Sequence, residues 1–461
     1  MGFDTAGYYV FLYLLASCTR YLCNPSLLIL GGGLLFYISL QWQFLPLLIL
    51  ATAVAYFGGL SIAKRNQSRS RWGRLALLLC CGLVYFPLFI WKFFLSRTSS
   101  FLMPLGLSFY TFHCVSYLID VYRGTVLPER SFKKILLYVS FFPQLIAGPL
   151  TRAQQILPQF ENPKALDTRD TKISLWRIYL GLFKKFTIAN VLGPLSAGAF
   201  AQPLLHSRWT ILAAVLAGRY FIYADFSGYT DIAVGSARLL GIRLPENFER
   251  PFSASSLADY WRRWHMTLQA WIRDYVFLPL VGSPLSVLGT YPLLILTFVM
   301  LGLWHGASLN FLFYGLWHGC FLAALDFTRN KRLAIIRRLK LNGPFVENWV
   351  MPWATFLLLV CPPTVLFLTE SPQRAMAVVR ALVNTDGASV LPGITHYHVF
   401  SVIVAILLLE GVQWLSARKD ISPWIAELSW PRFTAFAALL LTLFLVTGKF
   451  ASGESFLYFH F

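Results

Sequence analysis

The feature that most constrains this chain is a succession of apolar runs, each near the roughly 20 residues a helix needs to cross a bilayer. Candidate spans fall at about 7–22, 24–40, 43–62, 75–95, 101–121, 176–200, 209–236, 286–302, 304–326, 346–368, 396–415 and 431–449. Of 461 residues, 57% are hydrophobic and only 13% charged, with a mean hydropathy of +0.60. Soluble domains carry about a quarter charged residues, and a soluble protein of this size could not hide so much apolar surface from water. The expectation is an all-α integral membrane protein, a single polytopic unit over 1–461, with about eleven or twelve transmembrane helices.

The net charge of +19 would suit nucleic acid, but its placement does not. Basic residues cluster between apolar runs: Lys64, Arg65, Arg69, Arg71 and Arg74; then Arg123, Arg130, Lys133 and Lys134; then Arg329, Lys331, Arg332, Arg337, Arg338 and Lys340. Counting spans puts all three clusters, with Arg418 and Lys419, on one side. By the positive-inside rule that side is cytoplasmic, and both termini and the stretches 201–208 and 371–395 then face outward. The pattern argues against a nucleic-acid partner. The seven cysteines (Cys18, Cys23, Cys80, Cys81, Cys114, Cys320 and Cys361) lie in or beside apolar runs without a CxxC pair, and read as small buried hydrophobes. Asp4 is the first charge and no basic segment precedes the first apolar run, so no cleavable signal peptide is expected.

Two stretches fit no simple span. Residues 135–160 hold Phe141-Phe142-Pro143-Gln144 and Ala147-Gly148-Pro149 between flanks on the same side, which predicts a re-entrant or buried broken segment. Residues 255–275 predict one amphipathic helix. At 100° per residue, Trp261, Trp264, His265, Leu268, Trp271, Ile272 and Tyr275 share a face, opposite Arg262, Arg263 and Arg273. Such a helix would set its Trp residues at interface depth and its Arg residues toward water or phosphate, with Ser255 or Ser256 capping its start.

Polar residues within membrane runs are costly and are functional candidates by default. Histidine suits proton transfer near neutral pH. His305 lies between two apolar runs, flanked by Gly302 and Gly306, which allow close backbone approach. His318 is thirteen residues on and would face elsewhere on a straight helix, reading as a structural hydrogen-bonder. His265 lies at the edge of the Trp stripe. His113 sits inside a span, His396 and His398 begin a late one, and His206 and His460 gain no role from the sequence. Asp225, inside a span, needs a partner such as Arg219 or a distant Arg, or serves a substrate channel; Lys184 and Lys185 read as snorkelling side chains. No P-loop, HExxH or GxSxG is present, and no metal site is expected.

Together these stretches resemble the membrane-bound O-acyltransferases, in the alginate-type branch. Tyr223-Ala224-Asp225-Phe226-Ser227-Gly228-Tyr229-Thr230-Asp231, continuing through Ala233 and Gly235, is similar to that branch's YxDFSGYSDxAxG segment. Asn247-Phe248-Glu249-Arg250-Pro251-Phe252, Asp259 to Leu268, and Trp271 to Tyr275 match a second segment. Leu303-Trp304-His305-Gly306 with Tyr314-Gly315-Leu316-Trp317-His318-Gly319 match a third, and Phe142-Pro143-Gln144 with Ala147-Gly148-Pro149 match as well. The ending Ser455 to Phe461 is similar to the branch's PFIYFQF, with His460 where that branch has Gln. The likeness runs from about Pro104 to the C-terminus, so 101–461 reads as family core and 1–100 as less typical spans.

The resemblance implies a ring of helices around a thinned centre with a central tunnel. It implies an acyl donor entering from the cytoplasm, acetyl-CoA by analogy and not a bound cofactor, and delivery of acetyl across the inner membrane for O-acetylation of a surface or secreted polysaccharide. A separate SGNH-type acetyltransferase and membrane lipids are the implied partners. His305 corresponds to the family's catalytic histidine, acting as general base on the acceptor hydroxyl or as donor to the developing oxyanion; His265 would position the thioester carbonyl or tune His305. Trp304, Trp264, Asp225, Ser227, Asn310 and Tyr314 are candidate substrate contacts, and Arg262, Arg263 or Arg273 candidates for donor phosphates. The competing readings are D-alanyl transfer to teichoic acid, lipid or protein acylation, and a transporter without acyl chemistry, against which stands the lack of an internal repeat.

Overall fold

A computed structural model describes residues 2–21, 24–65, 70–95, 103–339, 343–383, 421–450 and 456–457, with scattered positions in 400–414. Helices make up the described residues almost throughout. The nearest thing to a strand among them is an isolated bridge between Phe248 and Trp264. His396, His398, His460 and most of the expected span 396–415 lie outside the described residues.

Among the described residues, two helical stretches are long and apolar enough to cross a membrane, Pro25–Arg65 and Arg71–Phe93. A bent pair, Leu309–Phe327 with Arg329–Arg338, makes a third by the same measure of length and composition. Two of the expected spans are interrupted. The run at 176–200 becomes Thr168–Phe183, a wide turn at Lys184–Ala189, and Asn190–Ala201. The run at 346–368 is broken by similar wide turns at Val346–Val350 and Phe356–Val360. Insertions of this kind relieve the regular i to i−4 ladder and are frequent at functional sites.

The centre of the fold is the 32-residue helix Arg208–Leu239, opened by Ser207, whose side chain accepts from the Thr210 backbone N–H. It packs against Thr168–Phe183 and Asn190–Ala201, and is buried through Tyr223–Ala233 despite two carboxylates there. Those carboxylates decide what lies beside them. Asp225 meets Lys185 at 2.8 Å, and Asp231 meets Lys184 and Arg177, each at 2.6 Å. Lys184 and Lys185 are therefore buried ion-pair partners and do not snorkel, and Asp225 is neutralised by Lys185, not by Arg219. Asp225 also accepts from the Leu457 backbone N–H at 2.7 Å, which ties residues 456–457 to this helix.

Residues 135–160 form a buried broken segment, as their composition predicts. Phe132–Ser140 stops at Phe141, Phe142–Leu145 adds one turn, and Ala153–Glu161 follows. Gln144 holds the break together, donating to Tyr138 O and accepting from Thr151 Oγ1, each at 2.7 Å.

Candidate active site

His305 is the last residue of the helix Thr290–His305, and after a short turn Ser308 caps the helix Leu309–Phe327. The two helices touch backbone to backbone. A Cβ at Gly302 would meet Phe311 O, and one at Gly315 would meet Phe298 O. Gly302→Ala should therefore cost about 1–3 kcal/mol through overpacking, read as a lower melting temperature of the detergent-extracted protein. Gly282→Ala, whose Cβ would make ordinary contact at 3.4 Å, should change it little.

Residues 255–275 do not form one helix. Leu257–Arg263 and Met266–Ile272 are separated at Trp264 and His265, and His265 adopts φ 46, ψ 50. This is the left-handed region, uncommon for a residue with a side chain. A helical wheel cannot be carried across it. Asn247 secures the break: its carbonyl accepts from Met266 N at 2.9 Å and its Oδ1 from Thr267 Oγ1 at 2.6 Å. The backbone turn swings His265 inward, and Trp261, Trp264, Leu268 and Trp271 are buried in the protein, not laid along a membrane interface.

The result is a narrow cavity whose walls include His305, His265, Trp264, Trp261, Tyr314 and Arg219. Both histidines are buried, at 7% and 2% exposure. The His305 ring lies 4.6 Å from Trp304, 5.1 Å from Phe367 and 6.0 Å from Tyr314. His265 packs edge-on against Phe226 at 4.6 Å. Lys92 donates to the Trp304 carbonyl, and its amine stands 5.2 Å from the Trp304 ring. A cation at this place suits the negative end of the helix that terminates at His305.

Of the sequence candidates, the cavity brings together His305, His265, Trp264 and Tyr314, with Trp304 packed behind His305. The others stand apart from its walls. Asp225 is held by Lys185, Ser227 is buried on the same helix, and Asn310 donates to Thr369 O at 2.7 Å. Arg262 and Arg263 pair with Asp259 at 3.3 and 3.0 Å, and Arg273 with Asp274 at 2.7 Å. His318 sits beside the cavity, 4.8 Å from Tyr314 and 4.9 Å from Trp261; neither ring nitrogen has a protein hydrogen-bond partner, so it is not the structural hydrogen-bonder expected. Two residues escaped the sequence reading as parts of the site. Arg219 looked only like a partner for Asp225, and Lys92 was not singled out. Among the described residues no group of three His, Cys, Asp or Glu side chains could hold a metal ion.

A narrow cavity with two buried imidazoles and a guanidinium can move a proton and accommodate developing negative charge, the two demands of acyl transfer. The family model of the membrane-bound O-acyltransferases matches residues 126–361, which contain all the cavity residues named except Phe367 and Lys92 behind it. The chain belongs to that family and is an O-acyltransferase of the membrane. It is 33% identical over 430 residues to the "Probable alginate O-acetylase AlgI" of Azotobacter vinelandii, covering 88% of this chain and 83% of that one. It is 31% identical to the peptidoglycan O-acetyltransferase of Helicobacter pylori, over 79% of this chain and 75% of that one. The teichoic acid D-alanyltransferase of Streptococcus thermophilus is 29% identical, over 64% of this chain and 74% of its own length.

Proposed function

We propose that this protein takes an acetyl group from a cytoplasmic donor, acetyl-CoA, and moves it across the bacterial inner membrane for O-acetylation of a cell-surface or secreted polysaccharide. The observation that carries this reading is the cavity shared by His305 and His265, in a chain similar over most of its length to relatives named for O-acetylation of alginate and peptidoglycan. In this reading the helices span the membrane many times and ring the cavity, which forms the narrow part of a tunnel between the two faces. The donor thioester arrives from the side of the basic clusters. His305 takes the proton from the acceptor hydroxyl as its oxygen attacks the acyl carbon. His265, fixed by its backbone turn, orients the thioester. A periplasmic SGNH-type acetyltransferase would complete transfer to the sugar, and lipids surround the exposed apolar helices.

The likeness to D-alanyltransferases supports a second reading, transfer of D-alanine from a carrier protein to teichoic acid, over a smaller share of the chain. The protein reconstituted in proteoliposomes and supplied with radiolabelled acetyl-CoA on one face discriminates between them. Label should leave the thioester at a rate well above that of empty liposomes. No release beyond that background, with release from a D-alanyl carrier protein instead, would replace the first reading by the second.

A further inference from the structure

We infer that Arg219 is a catalytic residue of this cavity, donating to the carbonyl oxygen of the acyl group as negative charge develops on it. The inference rests on the acyl-transfer reading above and adds a component which that reading does not require.

Arg219 lies on the central helix Arg208–Leu239, is 2% exposed, and forms part of the wall of the cavity that holds His305 and His265. Its surroundings fix it in place. The guanidinium carbon stands 4.2 Å from the centre of the Trp264 ring, 5.3 Å from Tyr260 and 5.8 Å from Phe252, and one of its nitrogens donates to the Tyr260 hydroxyl. Trp264 is the sequence neighbour of His265, and both line the cavity. Stacking on aromatic faces orients a guanidinium, whose N–H groups lie in its plane.

Placing a cation here is expensive, and membrane proteins keep such residues where they have a use. A donor whose orientation is set before reaction needs no reorganisation when charge appears, which is what makes oxyanion stabilisation effective in a dry site. The acceptor oxygen bonds to the acyl carbon while His305 takes its proton. The carbonyl π pair moves onto oxygen and is met by the Arg219 N–H. Collapse restores the C=O bond, breaks the C–S bond and returns the proton from His305 to the departing sulfur.

The test measures initial rates of label transfer from radiolabelled acetyl-CoA in isolated membranes, per folded molecule, for wild type, Arg219→Lys and Arg219→Met. Removing one such donor lowers turnover by about 10²–10³-fold, and this is expected for Arg219→Met. Arg219→Lys, which keeps the charge but not the fork, should fall between. The donor concentration giving half the maximal rate should move much less than the rate itself. Arg219→Met retaining more than about a third of the wild-type rate would overturn the proposal, as would unchanged maximal turnover with weaker donor binding. Variants that lose rate only in proportion to folded protein would show a structural role and overturn it too. Wild-type membranes that transfer nothing would instead refute the acetyl-CoA reading, an outcome distinct from any effect of the Arg219 variants.

Discussion

His305→Ala should lower the initial rate of acyl transfer by about 10²–10⁴-fold, the usual contribution of a positioned general base. The protein should still fold. His305 closes a helix whose packing against its partner runs through Gly302 and Gly315, not through the imidazole. His318→Ala is the informative companion. His318 is also buried but is not part of the cavity wall, and it packs on the flanks of Trp261 and Tyr314. Its loss should loosen the wall and lower the rate less than tenfold by the order of magnitude expected for a supporting contact. Initial rates in isolated membranes, normalised to folded protein, separate the two. Equal losses in both variants would mean that the histidine doing the chemistry has been misassigned.

Lys185→Met should deprive the protein of its folded state rather than of a catalytic group. Lys185 and Asp225 are each 1% exposed at the side chain and 2.8 Å apart. Removing one partner strands the other charge, which typically costs about 3–5 kcal/mol, whereas replacing both by apolar residues of similar volume is often neutral. Because total stability is usually only about 5–15 kcal/mol, the single variant should accumulate poorly and melt early. The pair Lys185→Met with Asp225→Leu should recover most of the extractable protein. It should not recover the anchoring of Leu457, whose backbone N–H is held by Asp225. Size-exclusion profiles and melting curves of detergent extracts test both statements. A single variant as stable as wild type would show that the ion pair contributes nothing.

The order of the apolar runs was readable in the sequence because lipid imposes one pattern on every crossing segment. The early runs became Ala6–Tyr21, Pro25–Gln41 and Leu45–Arg65 close to their expected limits. The hairpin carrying His305 was equally legible, since glycines and a break in hydropathy mark its turn. What periodicity could not supply is the turn at His265. A helical wheel assumes uniform helix, and one residue at φ 46 invalidates it. The signal that was available lies outside the segment, in Asn247, whose side chain and carbonyl tie the break from a position nineteen residues upstream of Met266. Charge pairing was also hidden. Lys184 and Lys185 sit next to each other yet serve different carboxylates, Asp231 and Asp225, because the wide turn at Lys184–Ala189 points both amines at the central helix. For Arg262, Arg263 and Arg273 the sequence showed a basic face but not its partners: they pair with Asp259 and Asp274.

Acylation of a polysaccharide through the His305 cavity can be read from the ester content of that polysaccharide. Cells of the native host lacking the protein, then supplied with wild type or His305→Ala at equal membrane levels, would be assayed for acetate released by mild base from purified surface and secreted polysaccharide. Acetate should be released with wild type, and none above the deletion background with His305→Ala. Equal acetate in all three strains would show that this protein does not acetylate the polysaccharide.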